Sequence, residues 1–257
     1  MYVLHKGGGR TSDDISSMEK VWTTQWAKKD PQSMVRGCEK SPVWFWTKRY
    51  VKLPARVLEA GCGLGQWVRF LADHGYEAHG LDFSEEAIRA AQSVWPDLPL
   101  LCGDLRYIPY EDNSFDAIIS LGVIEHDIEG PQEALGEMRR VLAPDGFLLS
   151  SVPCINYLRR LGGPLLIDWV VCNPTIRRLT GRQPDAAFFE YMWSPQEYRR
   201  ILEVAGFEVL RLLPITLNLQ RLFTGRPGDV RYRFVQWLHR RVPGLLGHMI
   251  MAICRKR

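Results

Sequence analysis

The stretch Val57-Leu58-Glu59-Ala60-Gly61-Cys62-Gly63-Leu64-Gly65-Gln66-Trp67-Val68 decides the fold. An apolar pair runs into an acid, three glycines follow at alternate positions, and an amphipathic segment begins. Glycine at this density costs backbone entropy, so the chain must bend tightly here or let another group approach it closely. A strand, a glycine turn and a helix form the unit that presents backbone amides to a ligand at a helix start. The dinucleotide fingerprint Gly-x-Gly-x-x-Gly is not met, because position 66 is Gln.

Outward from this turn, short apolar runs alternate with amphipathic stretches. The pattern predicts strands at 56–59, 77–82, 98–102, 115–121 and 147–152, with helices at 66–74, 85–94 and 131–142. Ser84 is a suitable N-cap, Pro131 suits a first helical turn, and Pro144-Asp145-Gly146 reads as a turn. Strands alternating with helices of about ten residues imply βαβ units, hence an α/β, doubly wound, mostly parallel sheet. Ligands in such sheets bind at the carboxyl ends of the strands. Later in the chain, Ser194, Pro195 and Glu197 signal a helix to Ala205, closed by Gly206. A strand at 207–213, a helix near 232–241 and a last strand near 248–254 complete the pattern.

Composition bounds the class. The 257 residues are 46% hydrophobic and 24% charged, as in an ordinary soluble globular protein. No apolar leader is visible at the start. The longest apolar run, 164–172, falls far short of the ~20 residues of a spanning helix. Six cysteines without a Cys-x-x-Cys pair read as free thiols of a reducing cytoplasm, and no metal site is expected. The net charge of +4 hides an asymmetry: residues 55–150 hold 17 acids against 6 bases, and residues 177–257 hold 6 acids against 15 bases. The basic part suits an anionic partner or a solvated arginine face.

Three acids stand where strands end: Glu59 before the glycines, Asp82 after the second strand and Asp104 after the third. Together they would repel a pyrophosphate and suit a ligand with positive charge, such as an adenosine bearing sulfonium and ammonium groups. Four motifs in order carry a resemblance: Val-Leu-Glu-Ala-Gly-Cys-Gly-Leu-Gly (57–65), Gly-Leu-Asp-Phe-Ser (80–84), Gly-Asp-Leu-Arg-Tyr-Ile-Pro-Tyr-Glu-Asp-Asn-Ser-Phe-Asp (103–116) and Met-Arg-Arg-Val-Leu-Ala-Pro-Asp-Gly-Phe (138–147). The chain resembles the class I S-adenosylmethionine-dependent methyltransferases, in the group with the ubiquinone/menaquinone-type domain. The likeness covers residues 55–152, with an echo at 191–209.

The resemblance implies a Rossmann-like seven-stranded sheet whose last strand is antiparallel. Residues 1–50 would be an N-terminal helical cap and 51–257 the methyltransferase domain, with 153–193 an inserted helical lid. It also implies site roles. Gly61, Cys62 and Gly63 would meet the methionyl part of the cofactor, and Glu59 its ammonium. Asp82 would hold the ribose, Phe83 would lie against the adenine, and Gly103, Asp104 and Leu105 would frame the adenine edge. Leu121 and Gly122 would line the sulfonium. His126, in Glu125-His126, is the candidate base for an acceptor that loses a proton; packing or capping is its other reading. Some relatives bind a metal through an acid three residues before such a pair, but here that position is Gly122. Tyr191 and Trp193 are candidate acceptor-binding residues, with core packing as the rival. The Arg-flanked apolar insertion reads as a lid over a small apolar acceptor or as an interfacial element touching a membrane. The expected partner is a small molecule. No nucleic acid is expected, because no Asn-Pro-Pro-Tyr-like or Pro-Cys loop follows the fourth strand. A catalytically silent cofactor-binding subunit is the alternative from another class.

Overall fold

The computed structural model describes residues 2–4, 22, 26, 29–127, 129–154, 190–215, 241 and 249–257. Among the described residues, nine strands fall in two sheets. Seven form the main sheet: β2 (Arg56–Ala60), β3 (Glu77–Asp82), β4 (Leu100–Cys102), β5 (Phe115–Leu121), β6 (Leu142–Pro153), β8 (Phe207–Ile215) and β9 (Met249–Lys256). Their spatial order is β4-β3-β2-β5-β6-β9-β8. The pairs from β4 to β6 are parallel, and β9 runs antiparallel to both β6 and β8. This is the expected Rossmann-like doubly wound sheet, with the chain's last strand threaded between its neighbours rather than placed at the edge.

The central strands are buried on both faces, which is why they read as apolar runs rather than alternating ones. In β2, Val57 and Leu58 are both fully buried but belong to different cores. Val57 joins Trp67, Phe70, Leu71, Ile88 and Trp44, under α2 (Pro42–Tyr50), α3 (Gln66–Asp73) and α4 (Glu85–Val94). Leu58 joins Leu135, Met138, Tyr198, Leu202 and Phe207, under α5 (Gln132–Val141) and α6 (Pro195–Val204). The N-terminal helix α1 (Pro31–Cys38) opens on Asp30, whose carboxylate accepts from the Gln32 and Ser33 amides.

Most boundaries follow their local chemistry. Ser84 Oγ accepts from the Ala87 amide and starts α4 where expected. At α6 the capping box is complete: Ser194 Oγ accepts from Glu197 N at 3.3 Å, and Glu197 Oε2 accepts from Ser194 N at 2.9 Å. Gly206, at φ +87°, ends the segment. Two stretches differ from expectation. The third strand starts at Leu100, because Leu98 is held in a turn by the hydrogen bond its amide donates to the Trp95 carbonyl. The Pro144-Asp145-Gly146 turn is absorbed as an irregularity of β6, since Phe115 pairs with Leu142 and Ala117 with Phe147. Asp145 sits there at φ +59°.

Residues 155–189 of the expected lid and 216–240 of the late helical stretch lie outside the described residues. The end of the predicted insertion is a strand: β7 (Glu190–Met192) pairs antiparallel with β1 (Tyr2–Leu4). Among the described residues no helix is long and apolar enough to cross a membrane.

The capping box is exposed to a direct test. Ser194→Ala should lower unfolding free energy by about 1 kcal/mol, the usual worth of an N-cap. Urea unfolding with an unchanged midpoint would show that α6 is held by packing alone.

Candidate functional site

The parallel strands bring their carboxyl ends to one edge. Ala60 pairs with Leu81, Asp82 with Cys102 and Leu121 with Ser151, so the segments after β2, β3, β4 and β5 stand side by side. The glycine turn leaves β2 with Gly61, Gly63 and Gly65 all at positive φ: +85°, +51° and +69°. Positive φ explains glycine at each position, and space explains two of them again. A Cβ on Gly61 would lie 2.3 Å from Val123 Cγ2, and one on Gly63 would lie 2.7 Å from the Trp26 ring.

Two buried carboxylates hold this turn. Asp82 Oδ2 accepts from Gly63 N at 2.7 Å, and Oδ1 accepts from Ser84 N at 2.9 Å. Asp82 thereby ties the glycine turn to the start of α4. Glu59 Oε2 accepts from Val68 N at 3.2 Å, capping α3 from the neighbouring strand. Helix α3 needs that partner, because its N-cap residue Gly65 has no side chain to offer. Glu59 is 3% exposed and Asp82 7%. Burial pushes both carboxyls up; for Glu59 the Val68 amide opposes this and the Asp82 charge adds to it.

Cys62, between the glycines, turns its thiol into the core, where a Cβ on Gly80 would lie 2.8 Å from Sγ. The thiol is buried, and burial raises its pKa well above the usual thiol value. Phe83, one residue past Asp82, is an exposed aromatic at the strand edge. Gly103 donates its amide to the Asp82 carbonyl at 2.9 Å. Asp104 is engaged with Arg106 through Nε at 3.0 Å and Nη2 at 2.6 Å, and accepts the Arg106 amide at 2.8 Å. That guanidinium holds the carboxyl below the usual aspartate range. Leu105 is partly buried against the second core.

After β5, Leu121 packs against the first core and Gly122 turns at φ +72° into the short 3-10 segment Ile124–His126. His126 is 11% exposed along its side chain, and Trp22 meets its ring edge-on with centroids 5.2 Å apart. Trp22 also stacks on Trp26 at 5.8 Å. Residues of the N-terminal region thus reach from the glycine turn to His126. Tyr191 is half-buried and stacks on Trp193 at 5.5 Å; Trp193 is 3% exposed and stacks in turn near Tyr198. The Trp193 side chain is therefore a core group, and Tyr191 is the outer of the pair. Among the described residues, no group of three or more His, Cys, Asp or Glu is arranged to hold a metal ion.

Sequence reasoning missed Arg106, Val123, Trp22, Trp26 and the burial of Glu125. Arg106 carried a legible signal: an arginine two residues after an acid can close a bidentate pair. The tryptophans carried none, because their contacts span more than thirty residues of chain.

The set fits a cationic adenosine. Asp82 presents a carboxylate with about four acceptor sites, of which the Gly63 and Ser84 amides use one on each oxygen. An exposed aromatic adjoins it, and the buried acids on this edge await positive charge.

Comparison with known proteins agrees. Residues 58–150 match the family described as methyltransferase domain. A probable S-adenosylmethionine-dependent methyltransferase of Mycolicibacterium smegmatis is 33% identical over 175 residues, 64% of this chain and 60% of the relative. A demethylmenaquinone methyltransferase of Staphylococcus haemolyticus is 26% identical over 221 residues, 77% of this chain and 89% of the relative. The chain thus spans less than two thirds of the first relative's length. Among solved structures, a methyltransferase of Methanosarcina mazei, described as S-adenosylmethionine-dependent, has a TM-score of 0.61 at 19% identity, covering 84% of this chain and 97% of that one. The [4+2]-cyclase SpnF has a TM-score of 0.60 at 18% identity, covering 94% and 93%.

The raised carboxyls set a pH dependence. Each binds its proton more tightly folded than unfolded, so stability falls as pH rises from the ordinary Glu value of 4.5 through the folded pKa. Glu59→Gln keeps an acceptor for Val68 and removes the titration. Its urea stability should lose much of that downward slope above pH 4.5. A slope identical to the parent protein would remove Glu59 as the source.

Residues 58–150 thus match the methyltransferase-domain family, and the chain shares the fold of solved S-adenosylmethionine-dependent methyltransferases.

Proposed function

We propose that the protein moves a methyl group from S-adenosylmethionine to an oxygen of a small-molecule acceptor. The observation that carries this reading is the acid-lined edge: Glu59, Asp82 and Asp104 at the ends of three adjacent strands, with Phe83 exposed beside them. Bound there, the cofactor supplies a methyl group made electrophilic by its sulfonium.

The chain's residues would bind and orient. Asp82 accepts the ribose hydroxyls with its remaining lone pairs. Phe83 lies against the adenine, and Gly103, Asp104 and Leu105 frame its edge, with Asp104 sharing its charge between Arg106 and the exocyclic amine. Gly61, Cys62 and Gly63 offer backbone to the methionyl part, and Glu59 favours its ammonium through charge. Leu121 and Gly122 stand beside the sulfonium. The imidazole of His126, beyond them, takes the acceptor's proton as its oxygen attacks; alignment of the two reactants supplies much of the remaining acceleration.

On the acceptor side, Trp22 walls one flank of His126, consistent with residues 1–50 acting as a cap over the domain of 51–257. Tyr191, backed by Trp193, is the second candidate wall, at the end of the proposed 153–193 lid. Apolar and aromatic walls favour an apolar or flat acceptor.

Two measurements test this reading. Asp82→Asn should weaken S-adenosylhomocysteine binding by about 1.5–3 kcal/mol, as expected for hydrogen bonds to a charged group. Calorimetry that finds equal affinity would take Asp82 out of the site. His126→Asn should bind the same product with parental affinity yet pass no labelled methyl to a metabolite extract that the parent protein methylates. Full transfer by that variant would end the role of the imidazole.

A further inference from the structure

Glu125 is a buried acid with no task in the reaction as described. It lies between Ile124 and His126 on the turn after β5, and it is 1% exposed. Its Oε2 is buried without a hydrogen-bond partner. Native interiors rarely leave such an atom unpaired, so the exception calls for an explanation. Its Oε1 lies 3.9 Å from His126 Nε2. Gly122 lies beside it: a Cβ there would stand in ordinary contact, 3.5 Å from the same Oε1, and glycine is favoured by its φ of +72°.

The groups around it sharpen the question. From β7, the Glu190 carboxylate adds to the repulsion that Glu125 feels, after burial, which is the main cause of its raised pKa. From α6, Tyr198 lies close enough to sense the Glu125 charge, but its hydroxyl donates to Ser150 Oγ at 2.8 Å. On its own turn, the imidazole of His126 is the neighbour able to carry positive charge.

We propose that Glu125 is a positioning residue that acts through His126 by charge, serving as counter-charge to the imidazolium formed when the acceptor is deprotonated. This rests on His126 being the base. In the step, the acceptor O–H proton moves to the imidazole and the oxygen's electron pair forms the bond to the methyl carbon. The carbon–sulfur bond breaks with its pair left on sulfur as a neutral thioether, and the imidazolium later releases the proton to solvent. Burial separates this role from direct contact, because Glu125 Oε2 has no open path to an acceptor. Inside a low-dielectric turn, a carboxylate 3.9 Å away acts strongly on a ring charge.

The test is imidazole nitrogen NMR on the full chain with S-adenosylhomocysteine, comparing the parent protein with Glu125→Gln and Glu125→Asp. The chain has six histidines, and His126 is assigned by the signal lost in His126→Asn. Glu125→Gln should lower the proton affinity of His126 about tenfold, one pKa unit. Glu125→Asp, which keeps the acid, should fall between the two. Overlapping titration curves for all three proteins would overturn the proposal. If Glu125→Gln fails to fold, an Asp variant titrating like the parent overturns it as well. Calorimetry on the same samples separates the two levels: a parent protein that takes up no S-adenosylhomocysteine refutes the enzyme reading, whereas normal uptake with an unmoved His126 refutes only the pairing.

Discussion

The structure depends on two buried carboxylates that hold a glycine turn in place. Three alternate glycines at positive φ have no side chains with which to fix their own path. Asp82 supplies one fixed point by accepting the Gly63 and Ser84 amides, and Glu59 supplies another by capping α3 at Val68. Both acids come from strands whose positions the sheet has already set, so the turn inherits the order of the sheet. The expense is desolvation, visible in the raised proton affinity of each group. A ligand that brings positive charge would relieve that expense, so a turn built this way is biased toward cations before any ligand arrives.

Much of the fold was legible because it is written in local chemistry. The boundaries of β3, α4 and β5 follow from Asp82, Ser84 and the apolar run after Phe115. The box of Ser194 and Glu197 names its helix outright. What escaped was non-local. The hydrogen bond from the Leu98 amide to the Trp95 carbonyl shortens β4, and pairing with β5 draws the Pro144-Asp145-Gly146 turn into β6. The strand of Glu190–Met192 exists because Tyr2–Leu4 pairs with it from the other end of the chain. No window of sequence contains both partners.

The site shows the same division. Its acids were visible as residues at strand ends, but their present engagements were not. Glu59 and Asp82 were read as ligand groups, yet both also carry scaffold hydrogen bonds, and Asp104 is already paired with Arg106. Cys62 and Trp193 stand at the expected positions with side chains turned into the core. The glycines carry two reasons at once: the backbone requires them, and Val123 and Trp26 occupy the space that side chains would need.

Burial sorts the acids of this edge into two kinds. Asp104 is partly exposed, neutralised by a guanidinium and held below the usual range, so it keeps its charge and can address a neutral hydrogen-bond donor. Glu59, Asp82 and Glu125 are enclosed and pushed upward, so each gains most from a neighbouring positive charge. Glu59 and Asp82 stand by the turn after β2, and Glu125 stands by the turn after β5, the next strand in the sheet. A cation bound between the two turns would lie between acids prepared on either side. Moving a methyl group would remove the sulfonium charge and leave an ammonium in place, so the attraction would weaken only in part. The same desolvation that makes these carboxyls costly to the fold would thus favour a sulfonium over a thioether at that place.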